Sequence, residues 1–149
     1  MPFIFNMKKK IIIPLLFLVM GAVHSAQAEM VVIVNKENPA TSITRIDLSL
    51  IYLGMKKLYD TGDMIMPVDL NSGKPTRQEF FTKILRKDEE SYRLYWIRMI
   101  FSGKGQPPLA FKTEEEAVRF VTANRGAIAF VDSKHIIGDV KTLQIVENE

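Results

Sequence analysis

The residues best suited to chemistry lie in one stretch, Asp69-Leu70-Asn71-Ser72-Gly73-Lys74-Pro75-Thr76-Arg77-Gln78-Glu79-Phe80-Phe81. Ser72 and Thr76 carry hydroxyls, Gly73 lets a ligand approach the backbone, and Arg77 can grip an oxyanion with its planar fork. Amides at a helix start, with the positive end of its dipole, favour an anion there. The expected chemistry is non-covalent capture of a phosphate-type anion by Ser72, Gly73, Thr76 and Arg77. The competing reading is a polar turn with a capping box, Thr76 at the N-cap and Glu79 three residues on, and a solvated Arg77. Pro75 has no N–H to give, and Lys74 adds mobile charge.

Other candidates are weaker. Ser102-Gly103-Lys104-Gly105 lacks the spacing of a nucleotide-binding P-loop. Gly103 is expected to end a helix there, with Lys104 as a secondary ligand contact. Tyr92, Tyr95 and Trp96 have helical spacing and are expected in a core rather than on a stacking platform. His135 follows the leader as the one remaining histidine, and cysteine is absent. Thiol catalysis, disulfides and the usual zinc sites are therefore excluded. No Gly-x-Ser-x-Gly elbow accompanies His135. The acidic runs 88–90 and 114–116 fall at predicted helix starts, where they compensate the dipole. The chain is thus expected to be no enzyme and to need no metal or cofactor.

These residues need a scaffold, and the leader must first be set aside. Lys8-Lys9-Lys10, the apolar run Ile11 to Val23 and Ala26-Gln27-Ala28 form a secretory signal, with cleavage expected before Glu29. An uncleaved anchor is the alternative, although the run is short for a spanning helix. Met7 is a second candidate start. Of 20 Lys+Arg and 17 Asp+Glu, three lysines and no acids lie in this leader, so residues 29–149 balance 17 against 17. A neutral domain gives no support to nucleic-acid binding. The remaining 121 residues suffice for one domain. An exported domain without disulfides suits the periplasm.

Met30 to Val34 reads as a buried strand. A helix capped by Ser42 or Thr44 follows, with Ile46, Leu50, Ile51 and Leu53 facing inward and Gly54 ending it. Met64 to Leu70 reads as a strand, and a helix begins at Thr76. Another helix follows Asp88-Glu89-Glu90, its inner face Tyr92, Tyr95, Trp96, Met99 and Ile100. A Gly/Pro loop spans 102–109. Thr113 to Glu116 is a second capping box, Gly126 is placed as the C′ residue of its helix, and 127–131 and 140–146 read as strands. Helices between strands predict an α/β domain with a mixed, mostly parallel sheet.

Taken together, several segments resemble the phosphate-binding periplasmic protein family of ABC transporters, and its short members in particular. Val31-Val32-Ile33-Val34-Asn35 is similar to the strand opening that family's second lobe. Ile43-Thr44-Arg45-Ile46-Asp47-Leu48 with Ile51-Tyr52-Leu53-Gly54 resembles the helix that follows. Ser72-Gly73, Thr76 and Phe80 resemble the phosphate loop, and Asn124-Arg125-Gly126-Ala127-Ile128-Ala129-Phe130 a later strand. Tyr95-Trp96-Ile97, Phe101-Ser102-Gly103-Lys104-Gly105 and Pro107-Pro108 resemble the short members. The resemblance implies a single lobe of the type II periplasmic-binding-protein fold over 29–149. It implies phosphate or a similar oxyanion as ligand, with Ser72, Gly73 and Thr76 binding it beside Arg77. A transporter or envelope sensor would be the partner, with a second copy as a further one. An accessory or protein-interaction module that keeps the fold without tight ligand binding is the alternative. In the family the loop runs Ser-Gly-Thr unbroken, whereas Lys74-Pro75 intervenes here. The family closes two lobes over its ligand, and this chain has room for one.

Overall fold

In a computed structural model, residues 28–148 are described; the leader and the start-site alternatives lie outside them, apart from Ala28. The elements are β1 (Met30–Asn35), β2 (Ser42–Thr44), α1 (Arg45–Tyr52), β3 (Met66–Leu70), α2 (Pro75–Phe80), α3 (Glu89–Phe101), β4 (Leu109–Phe111), α4 (Glu114–Ala123), β5 (Ala127–Asp132) and β6 (Val140–Val146). They build a six-stranded sheet, ordered β2-β6-β1-β5-β3-β4 and flanked by helices. The pairs β2–β6, β3–β4 and β3–β5 are parallel, whereas β1 runs antiparallel to both neighbours. The sheet is thus mixed with parallel pairs in the majority, as the alternation of strands and helices predicts.

β5 is buried along its whole length because it lies between β1 and β3. Alternation puts Ile128 and Phe130 on one face and Ala127, Ala129 and Val131 on the other. Phe130 stacks on Phe80 of α2 with centroids 4.0 Å apart, and Tyr52 of α1 packs on both rings. The Tyr52 hydroxyl donates to Val68 O at 2.8 Å and to Ile128 O at 3.3 Å, tying β3 to β5. Asn35 at the end of β1 donates from Nδ2 to Val121 O and Thr122 O, satisfying carbonyls at the end of α4.

Several local expectations are corrected. β2 and β4 were not predicted; both are three-residue edge strands, too short to show a period. α1 is capped by Thr44, but its buried residues are Leu48, Ile51 and Tyr52, while Ile46 is exposed. The buried face is the one that carries the Tyr52 ring into the Phe80–Phe130 cluster. Tyr92 and Trp96 are core residues, whereas Ile100, expected on the same face, is 51% exposed. α3 reaches the core chiefly through the aromatics of its first two turns, with Met99 partly buried against it. Gly126 does not occupy a left-handed C′ position. It is small because a Cβ there would meet Met64 O at 2.2 Å.

Thr76 does not cap α2. Lys74 is the N-cap, Pro75 is the first helical residue, and α2 continues as a π-helical turn over Phe81–Leu85. Proline is preorganised for that first position, so the helix begins one residue before the threonine. Arg86 closes it in the left-handed region, φ 51°.

Candidate functional site

β3, β4 and β5 run parallel, so their carboxyl ends, Leu70, Phe111 and Asp132, lie on one edge of the sheet. Such an edge is where open α/β sheets bind ligands, because loops and helix starts converge there. The 71–74 loop leaves from Leu70, and Gly73 turns it with φ 86°.

The loop's donors converge on a carboxylate of the chain itself. Ser72 Oγ donates to Glu89 Oε2 at 2.5 Å. Arg77 Nη1 stands 3.1 Å from Glu89 Oε1, close enough for an ion pair but without hydrogen-bond alignment. The other side of the guanidinium forks onto Asp69, Nε to Oδ1 at 2.9 Å and Nη2 to Oδ2 at 3.1 Å. Its flat face lies 4.2 Å from the Phe81 centroid. Arg77 is therefore not the solvated residue of the bland reading: its side chain is 11% exposed and held on three sides.

Burial raises the Asp69 carboxyl above its ordinary range, and Arg77 works against that rise. Glu89 is held below the usual range, first by the Ser72 hydroxyl, with Arg77 and the Gly73 amide adding to it. Burial pulls the Arg77 guanidinium down, but Asp69 and Glu89 outweigh it and leave it raised. One cation thus faces two carboxylates.

Thr76 is turned away from this cluster. Its hydroxyl donates to Glu114 Oε1 at 2.6 Å, so its single hydrogen is committed. Glu114 Oε2 accepts from the Asp132 amide at 2.6 Å. The buried Glu114 therefore ties α2, α4 and the end of β5 together. His135 is beside it, Nδ1 2.7 Å from Glu115 and Nε2 3.9 Å from Glu114. Among the described residues no cluster of His, Cys, Asp and Glu is suited to a metal ion.

A cleft of about 460 Å³ opens beside Ser72, Arg77 and Glu89. One wall is apolar, from Trp96, Ile97 and Ile100 of α3 and Pro107 and Pro108 of the following loop, and the ion pair of Glu90 and Arg93 also lines the cleft. Lys104 is exposed in the turn after α3, outside the lining of this cleft. Of the residues singled out in the sequence, the structure brings Ser72 and Arg77 together here; Asp69 and Glu89, which meet them, were not singled out. Asp69 carried a signal: one acid inside an otherwise apolar strand needs a buried partner. Glu89 carried none, because an acid in the first turn of a helix is already explained by the dipole.

No family model matches the sequence, and no curated protein matches it. Solved structures do match by fold. An ABC-type phosphate transport receptor from Vibrio cholerae aligns with TM-score 0.63 and 21% identity, covering 79% of this chain and 46% of the receptor. A phosphate ABC transporter substrate-binding protein with bound phosphate, from Clostridium perfringens, aligns with TM-score 0.62 and 17% identity over 79% and 45% of the two chains. PstS from Borrelia burgdorferi aligns with TM-score 0.61 and 14% identity over 79% and 47%. The chain spans less than half the length of these receptors and has the fold of the part it covers. Among the described residues, no helix is long and apolar enough to cross a membrane.

Proposed function

We propose that this chain is a non-enzymatic, periplasmic binding protein that captures a small oxyanion, phosphate or a relative of it, at Ser72, Gly73 and Arg77. The observation that carries this reading is the Glu89 carboxylate seated between Ser72 and Arg77. Donors that already close around an oxyanionic group have the spacing to receive another. Thr76 supports the loop from behind rather than touching the ligand. Binding at this cradle is weak, since solvent competes for each hydrogen bond and the incoming anion must also displace Glu89. Affinity near the millimolar range, roughly −4 kcal/mol, is expected. Export by a leader cleaved before Glu29 belongs to this reading, and N-terminal sequencing of the periplasmic protein tests it. A transporter would be the receiving partner.

Calorimetric titration with phosphate and sulfate tests the site. Heat at millimolar anion, lost in Ser72→Ala and in Arg77→Ala, is the expected result. Silence toward every oxyanion, in the wild type and in Glu89→Ala alike, would sink it. The second reading, an accessory module that docks a membrane or envelope protein, is favoured by Phe101, 88% exposed at the end of α3 beside the 102–109 loop. Its test is site-specific photo-crosslinking from position 101 in intact cells; no crosslinked species would count against it.

A further inference from the structure

The cleft holds a more specific clue than the cradle alone. Asp69 takes the Nε hydrogen and one Nη2 hydrogen, so the far end of the Arg77 guanidinium still offers N–H groups, with Nη1 3.1 Å from Glu89 Oε1. The Ser72 hydroxyl is the second source of hydrogen bonds. Glu89 meets them with two oxygens, Oε1 toward Arg77 and Oε2 on Ser72. This is the demand of a planar carboxylate. A tetrahedral oxyanion would leave oxygens facing water and would set more negative charge against the buried Asp69. Beyond the donors lies an apolar wall of Ile97, Ile100, Pro107 and Pro108, with the mutually paired Glu90 and Arg93 along the rest of the cleft. Glu89 itself is the first residue of α3, with its side chain 32% exposed, so it can rotate into water without unpacking Tyr92 or Trp96.

We infer that the cleft selects a monocarboxylate with an apolar body, whose carboxylate replaces that of Glu89 and whose body lies along Ile97, Ile100 and Pro108. The inference rests on the oxyanion reading of the same cradle and puts a carboxylate ahead of phosphate as the anion it prefers. The exchange forms and breaks no covalent bond and conserves charge at the cradle when the ligand is a monoanion. Either a free carboxylic acid or the C-terminus of a polypeptide supplies this chemistry.

The test titrates the protein as recovered from cells with acetate, butyrate, hexanoate and phosphate. Affinity should rise with chain length, by up to about fourfold per methylene, making hexanoate at least about tenfold tighter than acetate and tighter than phosphate. Ile100→Asp, at a half-exposed position that folding tolerates, should abolish the chain-length gain and spare acetate. Glu89→Ala should tighten every carboxylate by emptying the cradle. Equal binding of acetate and hexanoate, or phosphate tighter than every carboxylate, would overturn the inference and leave the oxyanion reading standing. No heat from any of the four anions, with or without Glu89, would remove both. N-acetyl-leucine and a tripeptide ending in leucine separate the two sources: the tighter of them identifies which is used. Their amide-capped forms should not bind, and equal binding of an amide would also overturn the inference.

Discussion

The two stretches Thr76-Arg77-Gln78-Glu79 and Thr113-Glu114-Glu115-Glu116 share one sequence pattern and do different things. At α4 the pattern is a true capping box: Thr113 Oγ1 accepts from the Glu116 amide at 3.2 Å, and Glu116 Oε2 accepts from the Thr113 amide at 3.3 Å. At α2 the threonine is inside the helix and its hydroxyl points across the sheet edge to Glu114. The one residue that separates them is Pro75, which claims the first helical position. In both stretches the residue after the threonine is the buried charge. Arg77 pairs with Asp69, and Glu114 with Thr76 and the Asp132 amide. The cap of α4 is settled within four residues of chain, whereas the side chains at the start of α2 draw partners from β3, α3 and α4.

That contrast can be broken in order of expected effect. Arg77→Ala leaves Asp69 buried without its cation and should cost about 3–5 kcal/mol in urea unfolding, the largest loss here. Glu114→Ala strips acceptors from Thr76 and Asp132 together, and about 2–4 kcal/mol is expected by the same measurement. Thr113→Ala removes only a local cap and should cost about 1 kcal/mol. Glu79→Ala, the position that would have closed a box at α2, loses only the surface pair with Lys83 at 2.6 Å. It should stay within about 0.5 kcal/mol of wild type, and a loss as large as that of Thr113→Ala would contradict the contrast drawn here.

Acid sharpens the comparison further, with the smallest effect. Glu89 titrates below its ordinary 4.5 in the folded protein, so its contribution is complete above 4.5 and is lost as pH falls through the lower folded value. Asp69 has the opposite sign: its folded value is raised, so its charging works against the fold as pH rises. Thermal melts between pH 3 and 6, an interval of about one to two units either side of an ordinary carboxylate, should show Tm falling at the acid end. Glu89→Gln should flatten that slope. An unchanged slope would mean that the cradle holds Glu89 no better than water does.

Much of the fold was legible because it rests on composition and period. β1, β5 and β6 are recognisable runs, Thr44, Asp88 and Thr113 cap as their types suggest, and Gly54 and Gly103 end α1 and α3 with positive φ. β2 and β4 were hidden because three residues have no measurable alternation. Ile46 and Ile100 were misplaced for another reason. An apolar residue at the right spacing is buried only if a neighbouring element reaches it, and at those positions none does.

The candidate site divides along the same line. The sequence by itself determined the small-residue turn at Ser72-Gly73, the presence of Arg77 just beyond it, and the α/β scaffold that sets such a turn at a strand end. Short-range sterics and hydrophobic pattern suffice for that. Only the tertiary structure decided what those groups face: Asp69 behind Arg77, Glu89 inside the cradle, Thr76 turned to Glu114, and the apolar wall from Ile97 to Pro108. These pairings join residues 8 to 38 positions apart, and burial decides them, because a charge taken out of water must find whichever partner the packing brings within reach.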